Sequence, residues 1–134
     1  MYFDYVVKRY QAFPNIIWNI SKEALLYGRD DMDYVTQRIR KIRDLDAFNR
    51  LVTVHDYNYC KAFPSEVDFI SLQDQSPDVY NTMMEAKETY PEKPVLNIEH
   101  GGYEKSLHEN FKGTYSDPVV SLDRTYQCIF AGCY

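Results

Sequence analysis

No apolar run in this 134-residue sequence approaches the roughly 18 residues that cross a membrane. The opening MYFDYVVKRY is not laid out as a secretory leader, because Asp4, Lys8 and Arg9 interrupt its apolar positions. Basic excess is missing as well. A formal net charge of −5 excludes a protein that grips phosphate backbones through a basic face. Cysteine is sparse. Cys60, Cys128 and Cys133 are odd in number and carry no CxxC spacing, so they form neither a disulfide framework nor a zinc knuckle and are expected as free thiols. No HxH or HxxxH pair is present, so His55, Asp74 and Glu99 are not expected to ligate a metal. The Gly101-Gly102 pair does not open a helix as a phosphate-binding loop does. Internal repeats and low-complexity linkers are absent too.

What is there is 45% hydrophobic and 26% charged, the make-up of one soluble globular domain over 1–134, or of a piece of one. Aromatics stand out, with 13 Tyr, 7 Phe and 1 Trp. They supply core area and also line ligand grooves. Two stretches share one plan. Lys93 to Glu104, KPVLNIEHGGYE, reads as proline, buried strand, Glu99 and a loop. Pro14 to Glu23, PNIIWNISKE, reads as turn, apolar run and Glu23. In parallel α/β proteins, sites are built at the carboxyl ends of the strands, so Glu23 and Glu99 are candidates for paired-carboxylate chemistry.

The remaining pattern is α/β throughout. Apolar positions at helical spacing predict helices over Tyr2–Ala12 and Asp31–Asp44, the latter with a stripe of Met32, Val35, Ile39 and Ile42 and a solvated basic face. Strands are predicted at Asn15–Ser21 (covered on both faces), Leu51–His55, Val67–Gln73 and Val95–Glu99. The Asn19 sequon is discounted because it falls in that first, buried strand. Asp56–Glu66 reads as a tyrosine-rich loop. Ser76-Pro77 and Asp117-Pro118 are cap-plus-proline starts for helices reaching about Glu88 and Ala131. Strands alternating with helices imply a parallel sheet, either a small three-layer sandwich or half of an eight-stranded barrel.

Taken together, these stretches resemble retaining (β/α)8 glycoside hydrolases of the cellulase-like and apiosidase-like group. RYQAFPNIIWNISKE is similar to the third helix and acid/base-bearing fourth strand, and KPVLNIEHGGYE to the nucleophile-bearing seventh strand. LDAFNRLVTVHDY, DFISLQDQ and SLDRTYQCIFAG resemble the fifth strand, the sixth strand and the seventh helix. The resemblance implies a partial (β/α)8 (TIM) barrel with Glu23 as general acid/base and Glu99 as nucleophile. The two lie 76 positions apart, room for three βα units. It also implies a carbohydrate substrate contacted by His55, Asp56, Asp74, Tyr103 and Lys22, no cofactor, and no nucleic-acid or membrane partner. A secreted or periplasmic parent enzyme is implied as well.

Two departures from the family pattern stand out. Lys22 occupies the position of the usual asparagine before the acid/base, and a cation beside a carboxylate favours its charged form, which opposes proton donation. Strands one to three and eight have no counterpart, so the chain is expected to be part of a longer enzyme, prone to self-association through open sheet edges. The alternative is a non-catalytic α/β domain that binds carbohydrate or protein. Tyr57, Tyr59 and Tyr103 would offer a sugar platform, Gln73 would line the cleft, and Trp18 is expected to pack rather than stack on sugar.

Overall fold

The computed structural model describes residues 2–23, 25–28, 31–100 and 118–134. They form two compact units, Met1–Ser71 and Leu72–Tyr134. The α/β class holds: short strands alternate with helices along the chain. The ladders are two two-stranded sheets, not one continuous four-stranded sheet. No helix among the described residues is long and apolar enough to cross a membrane.

In the first unit, α1 (Tyr2–Tyr10) buries Val7 and unwinds before Pro14, which pushes its predecessor out of the helical region. Strand β1 (Trp18–Ile20) pairs in parallel with β2 (Val52–Val54), Trp18 opposite Val52 and Ile20 opposite Val54. Between them runs α2 (Met32–Leu45), started by Asp31, whose carboxylate accepts from the Tyr34 N–H at 2.6 Å. Val35, Ile39 and Ile42 face the core as the stripe predicts. The basic face pairs with carboxylates at its rim: Arg40 with Glu66 at 2.6 Å and Arg43 with Asp68 at 3.2 Å. Such exposed pairs contribute about 0–1 kcal/mol each.

Burial of β2 is complete along its length. Its polar residue, Thr53, satisfies its hydroxyl on the Phe69 carbonyl (3.0 Å) and the Ser71 hydroxyl (2.8 Å). Asp68 and Val52 are joined twice, by the Asp68 N–H to the Val52 carbonyl at 2.9 Å and by the Val52 N–H to the Asp68 carboxylate at 2.6 Å. Strand β3 (Ile70–Leu72) follows, also fully buried.

Three expectations for this half need correction. The first strand is not covered on both faces. Trp18 and Ile20 are half-buried and Asn19 is exposed, because α1 and α2 leave a cavity of about 330 Å³ over β1. The burial argument against the Asn19 sequon therefore fails. The 56–66 segment is not a loop but α3 (Tyr57–Ala62) followed by a 3₁₀ turn (Pro64–Glu66). Asp56 caps α3 through the Tyr59 N–H at 3.0 Å, and Tyr59 and Cys60 are its buried side. Tyr59 is accordingly a core residue bonded to the Thr36 hydroxyl at 2.6 Å, not a sugar platform.

In the second unit, α4 (Val79–Thr89) buries Val79, Met83 and Ala86. It starts after Asp78 rather than Ser76, and the Asp78 side chain makes no capping hydrogen bond; the Ser76 N–H donates to the Asp74 carboxylate at 2.8 Å. Strand β4 (Val95–Asn97) partners β3 in the second sheet, with the Ile98 N–H donating to the Leu72 carbonyl at 3.0 Å. Helix α5 (Pro118–Phe130) packs on α4. Its end closes at Gly132, whose φ of +71° favours glycine. The Cys133 N–H returns to the Cys128 carbonyl at 3.0 Å. Tyr134 then runs beside β4, donating to Val95 (3.0 Å) and accepting from the Asn97 N–H (2.6 Å). All three cysteines are free and buried.

Candidate active site

In the first unit the parallel register brings the carboxyl ends of β1 and β2 out together. The His55 N–H donates to the Ile20 carbonyl at 3.1 Å, and the Glu23 N–H reaches the His55 carbonyl at 3.4 Å. Between these bonds the backbone turns sharply. Ser21 has φ 59° and Glu23 φ 54°, left-handed conformations that cost a non-glycine residue roughly 1–2 kcal/mol. The Glu23 carbonyl then accepts from the Tyr27 N–H at 3.1 Å, opening a turn. A carboxylate oxygen of Glu23 and a ring nitrogen of His55 lie within 4.8 Å of each other. A carboxylate and an imidazole at that separation can be bridged by a water or a cation. His55 is buried and Glu23 half-buried, whereas Lys22 is exposed.

Asp56 follows His55 but serves as the cap of α3. Tyr57 lies under the Lys61 ammonium, 4.8 Å from the ring centre. Trp18 packs, as expected, and donates its indole N–H to Asp46 at 2.7 Å. That carboxylate was not singled out in the sequence. It also accepts from the Phe48 and Arg50 N–H groups at 2.9 and 3.0 Å. Burial pushes Asp46 up, but the hydrogen bonds from Trp18, Phe48 and Arg50, with the Arg50 charge, outweigh it and hold the carboxyl below its ordinary range.

In the second unit, Glu99 stands two residues beyond β4, half-buried, with its N–H directed to Asn97 Oδ1 at 3.4 Å. Sequence reasoning did not single out Asn97, a buried amide in an otherwise apolar strand. It also meets the exit of β3, accepting from the Asp74 N–H at 3.2 Å and donating to the Asp74 carbonyl at 2.8 Å. The Asp74 carboxylate turns back to the Ser76 N–H. Burial raises its pKa, but bonds from Thr82 and Ser76 and the charge of Arg124 bring the net shift below the ordinary value. Gln73 is exposed. Beyond Glu99, the His100 ring sits 3.3 Å from the Thr125 hydroxyl, and its carbonyl accepts from Arg124 at 3.1 Å. Tyr103 and the Gly101-Gly102 pair lie outside the described residues.

Each unit thus carries one candidate glutamate just past the carboxyl end of a strand, beside a buried polar partner. Comparison with known proteins adds one match. A family model described as "Apiosidase-like, catalytic domain" matches residues 1–134. No curated protein and no solved structure is similar enough to match. The family match takes in all the strands and helices described above, including both strand ends that carry the glutamates, and the chain belongs to the apiosidase-like catalytic-domain family of glycoside hydrolases.

Proposed function

We propose that this chain carries the catalytic carboxylates of a retaining glycosidase that cleaves O-glycosidic bonds in an oligosaccharide or polysaccharide, built on a (β/α)8 barrel plan. Glu99 attacks the anomeric carbon, and the leaving oxygen takes its proton from Glu23. In the second step Glu23 deprotonates water, which releases the sugar from Glu99. The mechanism requires the two carboxyl groups about 5 Å apart, with an oxocarbenium-like transition state between them. His55, Lys22 and Tyr103 contact sugar hydroxyls, while Asp56 caps α3 and Asp74 holds the Ser76 N–H in the turn before α4.

The observation that carries this reading is the backbone at Glu23. A non-glycine residue held at φ 54° in a family of catalytic domains, beside a buried imidazole, is strain kept where a side chain must be aimed. The family's name adds apiosides to the substrates worth trying.

The test is mechanism-based trapping. A panel of 2,4-dinitrophenyl 2-deoxy-2-fluoroglycosides, with the unfluorinated apioside assayed beside it, is incubated with the protein, and labelled peptides are mapped by mass spectrometry. Label on Glu99 supports the proposal. Glu23→Ala should then lose roughly 10²–10⁴-fold on substrates with poor leaving groups and far less on dinitrophenyl glycosides, with azide restoring turnover. Sugar binding without label or hydrolysis would favour the non-catalytic reading, for which Lys22 in place of asparagine is the specific observation.

A further inference from the structure

We propose that Asn97 is the positioning residue for Glu99, an inference that rests on the nucleophile role given to Glu99 above. Asn97 is 7% exposed. A buried amide is tolerated when its donor and acceptor are both engaged, and here they are. Its oxygen accepts from Asp74 (3.2 Å) and Glu99 (3.4 Å), and its nitrogen donates to the Asp74 carbonyl at 2.8 Å. One side chain therefore holds both main-chain groups of Asp74 at the exit of β3 and the first peptide N–H beyond Ile98 at the exit of β4.

Two consequences follow for Glu99. The bond from Asn97 Oδ1 to the N–H two residues on is an Asx turn, and it ends the strand at a fixed residue. The departure direction of the Glu99 side chain is set by that turn. On the far side, Arg124 and Thr125 of α5 hold the His100 carbonyl and ring. Glu99 is thus bracketed by polar contacts on both neighbours, all within Leu72–Tyr134. A carboxylate that must meet an anomeric carbon needs such support, since a displacement of about 1 Å costs roughly 10²-fold in rate.

The experiment compares the full chain with Asn97→Ala and Asn97→Asp. Hydrogen exchange is followed at the Glu99 amide, and the rate of glycosyl-enzyme formation is measured with whichever fluoroglycoside labels the parent protein. Alanine removes these three side-chain bonds and the hydrogen bond that the Asn97 side chain shares with Cys128. Its expected result is faster exchange at Glu99 with little change in the α4 and α5 amides, a kcat lower by roughly 10- to 100-fold, and a KM within about threefold. Aspartate keeps an oxygen for the Glu99 N–H but cannot donate to Asp74, so it should restore protection at Glu99 and part of kcat. If the alanine variant does not fold, the aspartate variant carries the test through its kcat-to-KM split.

Labelling of Asn97→Ala at the parent rate, or unchanged exchange at Glu99, overturns the proposal. Absence of label on the parent protein is a separate failure. It removes the glycosidase reading and with it the catalytic purpose assigned to Asn97, while loss of Glu99 protection in the alanine variant would still establish the turn itself.

Discussion

Replacing Asp46 should destabilise the first unit more than any surface change, and the size of the loss can be worked from its contacts. The residue is 4% exposed, and its two oxygens take three N–H groups, from Trp18, Phe48 and Arg50. Hydrogen bonds to a charged acceptor contribute about 1.5–3 kcal/mol each. Water recovers part of this at Trp18, which is half-buried, and the carboxylate no longer has to be desolvated. Asp46→Ala should therefore cost about 3 kcal/mol. Asn at this position keeps one oxygen for Trp18 and Arg50 and turns its NH₂ toward the Phe48 N–H, for about half that loss.

With a urea slope of about 2 kcal/mol per molar, the midpoint should fall by about 1.5 M for alanine and about half as much for asparagine. The fluorescence of Trp18, the single tryptophan, reports the transition. The pH dependence checks the cause. A folded-state pKa below the ordinary carboxylate value gives stability that is present above that ordinary value and lost as pH falls through the lower folded one. The gap between parent and Asp46→Ala should therefore narrow below about pH 3.8. A midpoint shift for alanine smaller than for asparagine, or a gap independent of pH, would refute the reasoning.

Three further outcomes are expected. Burial raises the pKa of Cys60, Cys128 and Cys133, so a thiol reagent at neutral pH should label none of them until denaturant is added. Gly132→Ala should cost about 1–2 kcal/mol in thermal or urea melts, because φ is +71°. The new Cβ also meets the Lys87 ammonium, but that flexible end can swing aside. Lys22→Asn should raise kcat by roughly fivefold, the worth of a hydrogen bond of about 1 kcal/mol from an amide to the sugar. An unchanged kcat would count against a sugar contact at position 22.

Features that depend on near neighbours along the chain are legible from the residues alone. The stripe of α2, the stop at Pro14, the alternation of strands and helices, and the placement of Glu23 and Glu99 just past apolar runs are all legible from local spacing. So are the motifs that place the chain in its family, because they are short and occur in order. Helix α3 escaped this reading, since six residues are too few to show a period and its tyrosines look like loop residues until Tyr59 is seen buried. The helix expected to start at Ser76-Pro77 begins only at Val79, a boundary that the cap-plus-proline pattern does not fix to the residue. The tertiary structure alone decided which polar groups meet. Trp18 and Asp46 are 28 residues apart, and Asn97 and Asp74 are 23 apart. A hydrogen bond over such a separation exists only once the fold has chosen neighbouring segments. Propensity and periodicity act over one or two turns of chain and carry no information about that choice.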